Sequence, residues 1–123
     1  HDVLKEVARL LKTNGTLLIT MPFLYQVHGD PLDFNRWTDE MMRRRLVATG
    51  FQVESLHPMG GIFAVIYDLL RAHIYRTHSV DSFSFRTKVR LIQFLAPIFK
   101  ALDKESASKK FITTGWAVVA KKT

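Results

Sequence analysis

Apolar residues recur along the chain with two periods, and the switches between them lay out its elements. Val3, Leu4, Val7, Leu10 and Leu11 fall at i, i+1, i+4, i+7 and i+8, one stripe of a helix with Lys5, Glu6, Arg9 and Lys12 outside it. Asn14-Gly15 ends that helix, with the glycine expected in the left-handed position that follows it. Thr16 to Met21 is apolar throughout its middle, the pattern of a strand covered on both faces as in a parallel sheet. Pro22 stops it, because proline cannot donate to a ladder.

Thr38 is the expected N-cap of the next helix, with Asp39 and Glu40 in its first turn and Arg43 to Arg45 further along. Gly50 closes it, and Phe51 to Leu56 reads as a second strand. Gly60-Gly61 leads into an apolar helix from Ile62 to Tyr75, followed by a polar loop from Thr77 to Ser84. A second apolar helix runs from Val89 to Leu102, with a kink expected at Pro97. Both are shorter than the roughly 20 apolar residues that span a bilayer. A charged linker from Lys104 to Lys110 precedes a last strand from Phe111 to Ala120, stopped by Lys121-Lys122. The order helix, strand, helix, strand, two helices, strand is that of the closing part of an α/β fold.

Composition narrows the class. With 47% hydrophobic and 24% charged residues in 123, the chain has enough apolar surface for one small globular domain, which argues against disorder. It has no cysteine, so disulfide frameworks and thiolate metal sites are excluded. No signal peptide is visible, and a cytoplasmic location is expected. The chain opens at His1 without methionine and is inside a helix by Val3, so we expect it to be the back part of a longer protein. The formal net charge of +7 is spread over the chain rather than gathered in one stripe, which weighs against a nucleic-acid partner.

Candidate chemistry is concentrated in Ile19 to Thr38, where a strand runs into a loop dense in His, Asp, Arg and aromatic residues. Strand ends feeding such loops are where α/β enzymes place their chemistry. His28 is the candidate catalytic base, since a neutral imidazole can take a proton from an acceptor oxygen or nitrogen; a structural, hydrogen-bonded histidine is the other reading. Asp30, Asp33 and Arg36 are expected to form an ion-paired loop around it, stiffened by Pro31, with Trp37 packed beneath the following helix. His28, Asp30 and Asp33 also have the residue types of a metal site, but such a trio in one loop is a frequent coincidence and no metal is expected. His1, His57, His73 and His78 lack partners at ligand spacing.

The runs Leu4 to Lys12, Asn14 to Ile19, Pro22-Phe23, His28-Gly29-Asp30-Pro31-Leu32-Asp33-Phe34-Asn35-Arg36-Trp37-Thr38 and Ala48-Thr49-Gly50-Phe51 resemble the C-terminal half of a class I S-adenosylmethionine-dependent methyltransferase of the type 11 group. The resemblance covers residues 1 to about 60 and the final strand. It implies a Rossmann-like sheet in which Thr16 to Met21 is the fifth strand, Phe51 to Leu56 the sixth, and Ile112 to Ala120 an antiparallel seventh between them. Residues 62 to 105 then form a helical insertion. The family's glycine-rich cofactor loop and its ribose-binding acid precede this region, so cofactor-binding residues are expected outside the chain.

By the same resemblance the loop after the fifth strand faces the acceptor, which makes Pro22, Phe23, Tyr25, Asp30, Asp33 and Arg36 candidate substrate-binding residues. Plain core packing is the alternative for the aromatics. The implied activity is methyl transfer from S-adenosylmethionine to a bulky acceptor, lipidic or glycosylated. The insertion helices are expected to cap the substrate pocket, to pair with a second copy of the chain, or to lie on a membrane with Arg71, Arg76, Arg86, Lys88 and Arg90 toward anionic head groups. The last of these defines the rival reading, a non-enzymatic membrane- or protein-interaction module.

Overall fold

A computed structural model describes residues 3–27, 32–77, 79–80, 82–105 and 111–123. The described residues form four helices and three strands: α1 (Val3–Leu10), β1 (Thr16–Pro22), α2 (Asp39–Ala48), β2 (Phe51–Pro58), α3 (Ile62–Thr77), α4 (Phe83–Glu105) and β3 (Gly115–Lys122). They belong to two compact units. The first comprises His1–Phe23, Phe34–Pro58 and Gly115–Thr123, the second Leu24–Asp33 and Met59–Thr114.

The first unit is a three-stranded sheet in the order β1-β3-β2, with helices on one face. β3, last in the chain, is antiparallel to both neighbours, so β1 and β2 run parallel to each other on either side of it. The core forms where Leu4 of α1 and Met42 and Leu46 of α2 meet Phe51, Val118 and Ala120 of the sheet. Met42 and Leu46 are fully buried, each contributing about 2 kcal/mol of hydrophobic stabilisation. The cap chemistry of α2 is as expected: the Thr38 hydroxyl accepts from Met41 N at 3.3 Å, and Gly50 follows the helix at φ +84°. Trp37 packs against the same core, with the Arg45 guanidinium 6.0 Å from its ring centroid.

β1 is covered on one face only: Leu17, Ile19 and Met21 pack against the core while Leu18 is 73% exposed on the other side. The alternation is that of an antiparallel sheet with one open face, which the apolar run concealed. The strand ends at Pro22 as expected, with the proline itself its last residue, opposite Gly115. The left-handed residue after α1 is Asn14, at φ 63°, and not Gly15. Asparagine tolerates that region, whereas Gly15 is needed for space, since a Cβ there would come within 2.7 Å of the Lys12 carbonyl oxygen.

β3 starts later than expected and includes both lysines. Thr113 is buried and its hydroxyl accepts from Met59 N at 3.0 Å, which holds the residues before Gly115 out of the ladder. Lys121 stays in the ladder, with its ammonium 2.9 Å from Glu54 at a bulge in β2. Lys122 stays because its backbone bonds Asn14 and Gly15 and its ammonium bonds the Leu11 carbonyl at 2.8 Å.

In the second unit, α3 and α4 pack against each other. α4 begins at Phe83 rather than Val89, which shortens the expected polar loop. The Ser82 hydroxyl caps it by accepting from Phe85 N at 3.0 Å, and the buried Phe85 ring meets Tyr75 of α3 edge to face at 5.3 Å. α4 continues through Pro97 for 23 residues in all.

Candidate functional site

The expected site residues divide between the two units. At the end of β1, Phe23 places its ring 6.3 Å from Trp116 of β3, tilted by 45°. That pairing is built on close approach of β1 to β3, because a Cβ on Gly115 would lie 2.5 Å from the Met21 carbonyl oxygen. Trp116 is buried, and its indole N–H has no hydrogen-bond partner among the described residues. Pro22 is exposed beside it and Arg36 is half-buried in the same unit. Phe23 is therefore half-buried at a strand end, packed against the ring that carries this donor.

Tyr25 belongs to the second unit, where its hydroxyl accepts a long 3.5 Å hydrogen bond from Arg71 Nη2. Gln26, Arg71, Ala72, Tyr75 and Arg76 line a cleft of about 230 Å³ beside it. Arg76 donates to the Val27 carbonyl at 2.7 Å, so it fastens the loop to α3. Asp33 is half-buried in this unit, and neither Asp33 nor Arg36 is without a partner. His28 and Asp30 lie outside the described residues, and with them the expected base and the loop trio that would have held a metal. Among the described residues no three His, Asp or Glu side chains gather as metal ligands.

The larger cavity was not anticipated. It occupies about 740 Å³ between α3 and α4 and is lined by Ala64 and Tyr67 on one side and Ala96, Pro97, Phe99 and Ala101 on the other, with Lys100 and Lys104 beside them. Its volume suits a small molecule or the apolar arm of a larger one. Tyr67 and Phe99 meet across it with ring centroids 5.9 Å apart.

Asp103 closes one end of the cavity. Buried on α4, it accepts from Gly61 N through both carboxylate oxygens, at 3.0 and 2.8 Å, and from Ala64 N at 3.2 Å. These are orphan donors of the first turn of α3, so the carboxylate caps one helix from the end of the other. Gly60 approaches at φ +78°, where a Cβ would come within 2.7 Å of the Ala64 side chain. Asp103 is thus committed as an acceptor within the fold, and the cavity beyond it offers apolar surface with ammonium groups at its border. No short sequence signal marks this arrangement, because Gly61 and Asp103 are 42 positions apart.

No protein-family model matches the chain, and no curated protein matches its sequence.

These residues do not fit an S-adenosylmethionine cradle. The chain's strand, glycine and helix succession at β2, Gly60-Gly61 and α3 has its helix N-terminus taken by Asp103, and it lacks the spacing of a Gly-x-Gly loop.

Proposed function

We propose that this chain is the acceptor-side part of an S-adenosylmethionine-dependent methyltransferase, with the cofactor held by residues outside it. The observation that carries this reading is the strand order β1-β3-β2, in which the last strand inserts antiparallel between two parallel ones. It is the arrangement the resemblance implies for the fifth, seventh and sixth strands of a Rossmann-like sheet.

The exposed surface of the first unit supports the same reading. Val3 and Leu10 of α1 and Leu18 of β1 are each about two-thirds exposed or more, and the outer edge of β1 has no partner strand among the described residues. Further strands and helices of a larger sheet would cover that edge and those side chains.

Within this reading, Pro22 and Phe23 at the end of β1 are acceptor-side residues. In the second unit, taken by itself, the α3–α4 cavity has the size for an apolar group, with Lys100 and Lys104 at its border.

The test uses the complete open reading frame that contains this chain. Isothermal titration should show S-adenosylmethionine binding to its product with one site per chain. A folded product that takes up no S-adenosylmethionine overturns the proposal.

A further inference from the structure

α4 presents three faces. Phe85, Ile92 and Asp103 turn inward and are buried. Phe83, Leu91, Phe94, Ile98 and Leu102 are all exposed, Phe83 by 86% and Phe94 by 74%. At 3.6 residues per turn these five fall within an arc of about 100°, on the side away from the buried residues. Arg86 and Arg90 are exposed along one border of that arc and Lys88 along the other.

From this distribution we infer that α4 lies on an anionic lipid bilayer, with its apolar arc sunk among the acyl chains and its basic borders at the head groups. An apolar stripe edged by long cationic side chains on both sides matches a membrane surface, because lysine and arginine extend past the stripe to reach head groups at one depth. A second copy of the chain is a poorer fit. Its own cationic borders would be brought against these, in a chain of net charge +7. The helix lies in the interface and does not cross it, since no helix among the described residues is long and apolar enough to span a membrane.

Arg71 and Arg76 of α3 are also exposed, and each bonds the segment that follows β1, Arg71 to the Tyr25 hydroxyl at 3.5 Å and Arg76 to the Val27 carbonyl at 2.7 Å. The inference rests on the surface of α4 alone and is independent of methyl transfer.

The experiment is cosedimentation of the full chain with vesicles of phosphatidylcholine, with and without about one-third phosphatidylglycerol. Binding is expected to the anionic vesicles only. It should fall at least about tenfold between low salt and about 0.5 M salt, where the Debye length drops below about 5 Å. Leu91→Glu with Phe94→Glu should lower it at least about tenfold, and Arg86→Glu with Arg90→Glu should abolish the preference for anionic lipid. All four positions are exposed, and circular dichroism identical to the parent's shows that each variant is folded. Absence of binding at low salt, equal binding by the Leu91 and Phe94 variant, or equal binding to neutral vesicles overturns the inference. So does self-association that the same variant abolishes, which would assign the stripe to a second copy. Loss of S-adenosylmethionine binding in the titration above would leave this result untouched.

Discussion

Asp68 stands half-buried in α3, and loss of water around its carboxyl outweighs the attraction of Arg71, so its pKa lies above the ordinary 3.8. The folded chain therefore binds that proton more tightly than the unfolded chain. Stability contributed by the group falls as pH rises from the unfolded value through the raised folded one, and stays lower above it. Asp68→Asn removes the charge and keeps the shape. The variant should be more stable than the parent at neutral pH, and its advantage should shrink on acidification and vanish below pH 3.8. Urea midpoints of both proteins across this range check the sign, and two parallel curves would refute it.

Pro97 interrupts the backbone ladder of α4, because it has no N–H for the Gln93 carbonyl. Its side chain is exposed, so Pro97→Ala should restore that bond and raise stability by about 2 kcal/mol. A urea midpoint unchanged or lowered, followed by far-UV circular dichroism, would mean that the cavity packing requires the proline. The helix also marks how far the elements were legible from residue order. α1, α2 and β2 carry their periods and caps locally, and their positions follow from Leu4, Thr38, Gly50 and Phe51. The first turns of α4 do not, because Ser82-Phe83-Ser84-Phe85 alternates with period two and shows no helical stripe until Phe85 meets Tyr75 across the helix pair. The same holds at β3, whose start is set by Thr113 bonding Met59 over 54 positions. The position of Pro22 and Phe23 at a strand end was legible from the apolar run that precedes them. The cavity was hidden, since it exists only once Asp103 has tied α4 to α3.

At the scale of the whole molecule, the two edges of the sheet differ in how they are protected. β2 carries a bulge at Glu54, a charge on that bulge paired with Lys121, and Pro58 at its end, all of which blunt an edge against pairing. β1 has only Pro22 at its last position, and its open face shows Leu18. The purified chain is therefore expected to associate through β1 as its concentration rises, and Leu18→Lys should shift it toward monomer by placing a charge on the strand. Sedimentation velocity over a concentration series reads this directly. A parent chain that stays monomeric and melts cooperatively would contradict it. Leu91→Glu with Phe94→Glu separates this surface from α4: it should leave the association intact while removing vesicle binding, and Leu18→Lys should do the reverse. Were the α4 variant to abolish association instead, the copies would be meeting through the helix, and neither the edge nor the bilayer assignment would stand.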